Sequence, residues 1–336
     1  MSSPRLIHVD DGLPGITRER VGEEWRYRDS KGKIVRDRVE IARLDAIALP
    51  PAYGDAWFCP AANGHILATG YDTRGRKQYR YHPDFRLAQE ADKYDRCAAF
   101  GHALPLLRAR LVDDLARRNL CQERVVAAVV RLLDLAALRV GNEQYAAANN
   151  SFGATTLRRR HAKLTGNTLR LHYRAKGGAK KEVAISDRSL TNLVRRLQDL
   201  PGQHLFQYEE DGDVFTVASE DVNAYIREAM GNAFSAKHFR TWSASVEAFA
   251  YLHDAPDPPT LKAMLEHVAD RLGNTPAVAR KAYVHPAMIA AAQERSDFAA
   301  AVGPLPRLAK YLSRYERGFL AYLESAPDAA ALLRTA

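Results

Sequence analysis

The 336-residue sequence contains only three cysteines, Cys59, Cys97 and Cys121, and they lie far apart. They form no CxxC pair and stand at no zinc-ligand spacing, so a disulfide framework or a structural zinc site is not expected. No stretch approaches the roughly 18 apolar residues of a membrane span, and the first residues lack the apolar core of a leader peptide. These absences predict a soluble cytosolic protein without a membrane segment.

Several catalytic motifs are also absent. The sequence contains no HExxH, no GxSxG, no P-loop and no acidic cluster of the kind that binds a divalent metal. Chemistry on phosphate groups would therefore use arginine and lysine charge in place of a metal ion, and no cofactor is expected.

The composition is that of a globular protein, with 46% hydrophobic and 26% charged residues, and the length allows two domains. The formal net charge is +9. A basic balance of this size favours a polyanionic partner, and nucleic acid before a membrane surface, although charge alone does not decide it.

The pattern of apolar residues changes along the chain. Residues 25–28, 56–59 and 78–82 read as short aromatic strands between turn residues, whereas residues 104–118 and 125–138 have helical spacing. Three further strands are predicted at 157–164, 168–175 and 182–186. Later helices are predicted at 189–200, 219–230, 240–253, 259–272 and 306–323. This order predicts an α+β protein, with a β-rich domain at 1–90 and a mainly helical domain at 91–336 that carries a three-stranded sheet.

Two basic clusters could bind nucleic acid. Between Arg158 and Lys181 the chain has nine lysines or arginines and no acid, which would suit a strip of phosphates, although a solvated sheet face is the alternative. The second cluster alternates basic residues with tyrosines, which could enter a groove or form one half-buried strand face. It consists of Tyr71, Arg74, Arg76, Lys77, Tyr79, Arg80, Tyr81 and His82.

Several single residues of the helical part are candidate site residues, and each also has an ordinary structural explanation. Arg139 follows an apolar helix and could simply cap it, and Arg240 could form a common salt bridge. Lys176 stands in a glycine-rich turn that leaves its side chain room to move. Thr275 and Pro276 predict an N-cap and a first helical position, and Tyr283, which closes that short helix, could be a core residue.

Taken in order, these segments resemble type IB DNA topoisomerases of the small bacterial and poxvirus-like kind, over nearly the whole chain. In the first domain the resemblance is carried by PPA at 50–52, NGH at 63–65, ATG at 68–70 and GRKQYRYH at 75–82. In the second domain it is carried by RVGNE at 139–143, NSFGATTL at 150–157, FRTW at 239–242, GNTP at 273–276 and KAYVHP at 281–286.

The resemblance implies that Tyr283 attacks a DNA phosphorus and forms a 3′-phosphotyrosyl intermediate. It implies that Arg139 and Arg240 grip the non-bridging oxygens, that Asn274 donates a hydrogen bond to one of them, and that Lys176 is the general acid. It further implies a monomer that closes as a C-shaped clamp on duplex DNA in the nucleoid, with an interdomain linker near residues 86–103. The predicted DNA-binding residues are Arg76, Lys77, Gln78, Tyr79, Arg80, Tyr81, Arg158, Arg159 and Lys237.

Three positions depart from the family pattern. Asn274 replaces the histidine of the poxviral enzymes, Ala175-Lys176-Gly177-Gly178 replaces Gly-Lys-Ser-Gly, and Leu67 replaces a glutamine that could read a base. Two other functions remain alternatives. A tyrosine recombinase would use the same chemistry but generally has a helical N-terminal domain, and a non-catalytic DNA-binding protein would leave Tyr283 inert.

Overall fold

The computed structural model describes residues 5–294 and 298–335. The chain divides into two compact units, of which the first ends at Asp92 and the second begins at Lys93. Each unit has a hydrophobic core of its own. No helix in the described ranges has the length and apolar character needed to cross a membrane.

The first unit is built on a five-stranded antiparallel sheet with the order β2-β1-β3-β4-β5. Its strands are β1 (Ile16–Val21), β2 (Glu24–Arg28), β3 (Gly54–Phe58), β4 (Ile66–Tyr71) and β5 (Lys77–Tyr81). Tyr27 and Phe58 from the sheet pack with Leu44 of helix α1 (Arg38–Ala46) in the core. The sequence predicted β2, β3 and β5, whereas β1, β4 and α1 were not predicted.

The second unit is mainly helical. The structure as a whole contains both helices and sheets, which confirms the α+β fold class. Residues 86–103, predicted as a linker, lie inside one 33-residue helix, α2 (Pro83–Leu115). The next helices are α3 (Gln122–Ala136), α4 (Glu143–Asn149), α5 (Arg188–Leu197), α6 (Ser219–Met230), α7 (Lys237–Asp254) and α8 (Leu261–Leu272). The remaining helices are α9 (Pro276–Ala282), α10 (Pro286–Glu294), α11 (Phe298–Val302), α12 (Arg314–Ser325) and α13 (Ala329–Thr335).

Helix α3 is the centre of the second core. All six residues from Val125 to Val130 are at most 2% exposed, as the nearly continuous apolar sequence predicted. Helix α7 is also largely buried, and its buried side includes one charged residue, Arg240.

The three-stranded sheet has the order β6-β7-β8 and consists of β6 (Ala162–Thr165), β7 (Thr168–Arg174) and β8 (Lys180–Ser186). The prediction that a strand begins at Leu157 was wrong, because residues 159–161 form a 3-10 turn and the carbonyl of Leu157 accepts from the amide of Leu205. A hairpin of β9 (Gln207–Glu210) and β10 (Asp213–Thr216) was not predicted. Asp211 and Gly212 both have positive φ, as a two-residue hairpin turn of mirror-image type requires.

The last long helix begins later than predicted. Residues 306–313 are not helical, and α12 starts after Ser313, whose side chain accepts from the amide of Glu316 while Glu316 accepts from the amide of Ser313. This reciprocal pair satisfies two backbone donors and fixes the start of the helix.

Candidate active site

Arg139 lies just beyond the end of α3, where Ala137 takes a left-handed conformation and stops the helix. The backbone of this segment is held by Ala154 and Thr155, whose amides donate to the carbonyls of Arg139 and Val140 over 2.8 and 2.7 Å. The Arg139 side chain does not cap α3. Its Nη2 donates instead to Oδ1 of Asn274, 3.1 Å away and 135 residues further along the chain.

Arg240 projects from the first turn of α7 and is only 4% exposed. Its guanidinium donates to the carbonyls of Ala137 and Leu272, which are at the C-terminal ends of α3 and α8. No carboxylate of the described chain forms an ion pair with it, so the salt bridge considered above is absent. The Nε of Arg240 has no hydrogen-bond partner in residues 5–294 and 298–335. Burial, followed by the charge of Arg139, lowers the pKa of Arg240.

Asn274 occupies the junction between α8 and α9. Gly273 ends α8 with φ +64°, and Thr275 caps α9 by accepting from the amide of Val278, with Pro276 in the first turn as predicted. The amide nitrogen Nδ2 of Asn274 is buried and makes no hydrogen bond with any described residue. A buried donor without an acceptor is unfavourable in the free protein and is available to a ligand oxygen.

Tyr283 stands at the C-cap of α9, and its half-buried ring lies under Arg240, with Cζ 4.6 Å from the ring centroid. Burial raises the pKa of the Tyr283 phenol, but the charges and hydrogen bonds of Arg240 and then Arg139 outweigh it. The pKa is therefore lowered from its usual value near 10. A lowered pKa makes the phenolate, which is the better nucleophile, easier to form.

Lys176 is exposed on the turn between β7 and β8. Gly177 and Gly178 follow it with φ of +82° and +79°, conformations that suit glycine, and no side chain would contact a Cβ at either position. Lys176 and Arg139 line the same pocket, together with Gly141, Tyr145 and Phe152. The lysine therefore shares one pocket with Arg139, and its ammonium makes no hydrogen bond with any described residue.

Sequence reasoning missed residues that hold the backbone around Tyr283. The buried hydroxyl of Ser245, on α7, lies 3.3 Å from the carbonyl of Tyr283 and accepts from the amide of His285 over 3.0 Å. The ammonium of Lys93 donates to the carbonyl of Ala282 over 2.9 Å. Since Ser245 lies about one and a half turns after Arg240, one helix positions both the arginine and the tyrosine backbone.

The basic run of residues 158–181 is divided between different roles. Arg158 forms an ion pair with Glu143 and contacts His204, and Arg159 donates to the carbonyls of Gln198 and Gly202. On the outward face of the sheet, Lys163 lies opposite Arg170 across the strands, and Arg174 lies opposite Lys180. Like charges directly opposite each other destabilise a sheet, so these two pairs are unfavourable without an anionic partner.

The predicted DNA-contacting strand of the first unit is β5. Arg76 and Gln78 both contact the carboxylate of Asp72, and Lys77 pairs with Asp11 over 2.7 Å. The side-chain and backbone hydrogen bonds of Arg76 lower the pKa of Asp72 to about 2.

The remaining residues predicted to contact DNA are spread over both units. Arg80 donates to the carbonyl of Ala48. Tyr79 and Tyr81 stack with centroids 5.7 Å apart and are 41% and 38% exposed, so they are not a buried face. Lys237, also predicted to contact DNA, is exposed at the start of α7.

Comparison with known proteins gives the family of the chain. Residues 82–300 match the family model described as eukaryotic DNA topoisomerase I, catalytic core. Residues 24–72 match the model described as bacterial DNA topoisomerase IB, N-terminal domain. DNA topoisomerase 1B of Acanthamoeba polyphaga mimivirus is 30% identical over 289 residues, which is 81% of this chain and 85% of that protein.

A solved structure of the XerH site-specific recombinase bound to a palindromic difH substrate is 16% identical, covering 53% of this chain and 47% of that chain, with a TM-score of 0.35. The two family models and the viral relative show that the chain belongs to the type IB DNA topoisomerases. The enzyme class predicted from the sequence is thereby confirmed.

Proposed function

We propose that this topoisomerase cleaves and reseals one DNA strand at Tyr283, and that Arg139, Arg240 and Asn274 bind the phosphate that is attacked. The observation that carries the proposal is the convergence of these four residues from three separate parts of the second unit. Two buried N–H groups of this cluster, Nδ2 of Asn274 and Nε of Arg240, lack an acceptor among the described residues. A phosphate between them would supply acceptors to both.

In the forward step the phenolic oxygen of Tyr283 bonds to phosphorus, its proton passes to water, and the bond from phosphorus to the 5′ oxygen breaks. The two guanidinium groups stay charged throughout and stabilise the extra negative charge of the transition state. Because the phosphotyrosyl bond replaces a phosphodiester of similar energy, the cut strand can rotate and the reverse step can reseal it without ATP.

Lys176 would protonate the departing 5′ oxygen. Its exposure and the two glycines after it support a side chain that moves onto the DNA when the substrate is bound. A general acid has to reach the leaving oxygen only in the complex, so its lack of contact with Tyr283 in the free enzyme is compatible with the role.

DNA contacts would be made by each unit separately, through the stacked Tyr79 and Tyr81 in the first and through the outward face of the β6-β7-β8 sheet in the second. Lys163 with Arg170, and Arg174 with Lys180, are like-charged pairs that a phosphate backbone would relieve. Arg76, Lys77 and Gln78 already contact carboxylates, so their binding to phosphate would require them to exchange partners. The monomeric state and the cytoplasmic, nucleoid-associated location stay predictions.

The decisive experiment is relaxation of positively and negatively supercoiled plasmid in EDTA without ATP. We expect the wild type to relax both, Tyr283→Phe to relax neither while still binding DNA, and Tyr251→Phe to behave as wild type. Tyr251 is a suitable control because its hydroxyl makes no hydrogen bond in the described part of the chain. Full activity of Tyr283→Phe would refute the nucleophile assignment.

The role of Lys176 has a separate test. Lys176→Ala should slow cleavage much more than DNA binding, because one phosphate contact among many contributes little to affinity. A substrate with sulfur in place of the 5′ oxygen has a leaving group that needs no protonation, and it should restore the cleavage rate. If this substrate is cleaved as slowly as the normal one, Lys176 is not the general acid.

A further inference from the structure

Lys181 faces inward on β8, where an apolar residue is expected. It lies directly opposite Tyr173 in the register of β7 and β8, and Tyr173 is buried. Because side chains alternate along a strand, Val183 and Ile185 continue the same face, and both pack in the core of the second unit. Because this position faces the core, contact of the ammonium with water does not explain why a lysine is found there.

The Lys181 ammonium lies beside the residue that precedes Asn274. It donates to the carbonyl of Arg271 over a long 3.4 Å. A Cβ added to Gly273 would come within 3.1 Å of the ammonium and 3.0 Å of its Cδ, so the glycine at the end of α8 leaves the room that this lysine occupies. Lys181 thus approaches the phosphate-binding group from the side of Asn274.

The surroundings of Lys181 are cationic. Burial, followed by the charges of Arg240, Arg271 and Arg139, lowers its pKa to about 8. No carboxylate belonging to the described residues forms an ion pair with it. A partly buried cation among three arginines is unfavourable unless an anion joins them.

We propose that Lys181 is a further phosphate-binding residue of the cleavage site, whose ammonium donates a hydrogen bond to a non-bridging oxygen of the DNA strand. The proposal rests on the function proposed above, since the anion is the phosphodiester that Tyr283 attacks. No proton is transferred, which distinguishes this role from that of Lys176. Lys181, Arg139 and Arg240 would then share one anion, and the binding of that anion would stabilise the protonated lysine.

A structural explanation competes with this one. β8 is an edge strand, and inward-pointing lysines on edge strands discourage pairing with other chains. On that explanation, removing the charge would promote self-association and leave cleavage unchanged.

The first measurement compares covalent complex formation by wild type, Lys181→Met, Lys181→Arg and the control Lys262→Met, in single turnover on a duplex whose cleavage site has been mapped with wild type. Lys262 is exposed at the start of α8, and within the described residues its ion pair is with Glu266. We expect Lys181→Met to be slower by on the order of 10²- to 10³-fold, as for loss of one donor to a transition-state oxygen. Lys181→Arg should keep most of the rate, and Lys262→Met all of it.

Thermal unfolding without DNA separates this effect from misfolding. Lys181→Met removes an uncompensated cation, so its melting temperature should equal or exceed that of wild type. A wild-type cleavage rate in Lys181→Met, with or without self-association, would overturn the proposal.

A second measurement does not depend on cleavage. In the Tyr283→Phe background, DNA affinity should fall as the pH rises through about 8, because Lys181 loses its proton, and Lys181→Arg should abolish that fall. Tyr173, which also faces Lys181, has a pKa raised to about 12 by burial, so its phenol does not titrate in this range. The arginines around Lys181 are Arg240, Arg271 and Arg139, and Lys181→Arg leaves all three in place. An unchanged fall in Lys181→Arg would refute the role of Lys181, whereas absence of any covalent complex with wild type would refute only the function proposed above.

Discussion

Replacing Asn274 by aspartate should change stability and catalysis in opposite directions. The substitution keeps the shape of the side chain and exchanges the buried Nδ2, which has no acceptor within the described residues, for a carboxylate oxygen. The other oxygen stays 3.1 Å from Nη2 of Arg139 and becomes half of an ion pair. In the free protein the substitution removes an unsatisfied donor and places a carboxylate beside the charge of Arg139. In the DNA complex it replaces a donor to the phosphate by an anion that repels the phosphate.

The two magnitudes follow from these contacts. An unsatisfied buried donor costs about 1–3 kcal/mol, and burying the carboxylate that replaces it offsets part of this gain, so we expect Asn274→Asp to be more stable by about 1 kcal/mol. For a unit of this size that corresponds to a rise of roughly 2–4 °C in melting temperature. Loss of one donor to a transition-state oxygen costs about 2.7–4 kcal/mol, or roughly 10²- to 10³-fold in cleavage rate, and the new negative charge adds to this loss.

The assay pairs calorimetry of the free protein with the rate of covalent complex formation in single turnover. Asn167→Asp, in the exposed turn between β6 and β7, is the control for introducing a carboxylate and should change neither quantity appreciably. A variant Asn274→Asp that is less stable, or that cleaves DNA at the wild-type rate, would contradict the reasoning.

Three further predictions follow from the same structure. Difference titration at the phenolate absorbance band, wild type minus Tyr283→Phe, should show one phenol ionising below pH 10, because two arginines lower its pKa despite burial. Glu316→Ala should destabilise the protein by about 3 kcal/mol in urea unfolding, since it leaves the buried Arg108 with only part of its anionic partners. Burial raises the pKa of Glu316, but the hydrogen bond and charge of Arg108 lower it by more, so the pKa lies below its usual value. The stability that this ion pair contributes is therefore present near neutral pH and is lost as the pH falls through the folded-state pKa. Gly153→Ala should abolish cleavage and lower stability, because its Cβ would lie 2.5 Å from the amide nitrogen of Gly141 and 2.7 Å from the carbonyl of Arg139, whereas Gly54→Ala has open space and should retain activity.

Some of the fold could be predicted because its causes are local. The apolar run of α3, the cap and proline that start α9, and the strands β2, β3, β5 and β7 are each set by residues close together in sequence. The hairpin of β9 and β10 also has a local signature, Asp211-Gly212, although the hairpin was not predicted. Leu157 was assigned to a strand because its apolar pattern fits one, although its carbonyl is taken by Leu205 from a distant segment.

The sequence by itself determined the family, since the order of short motifs along the chain does not depend on contacts between them. Only the tertiary structure decided which side chains share a site. It brings Arg139 to Asn274 and Arg240 to Tyr283, directs Lys181 inward beside them, and pairs Arg76 and Lys77 with acids. The physical reason is that caps and turns are set by neighbouring residues, whereas the environment of a charge depends on every element packed around it.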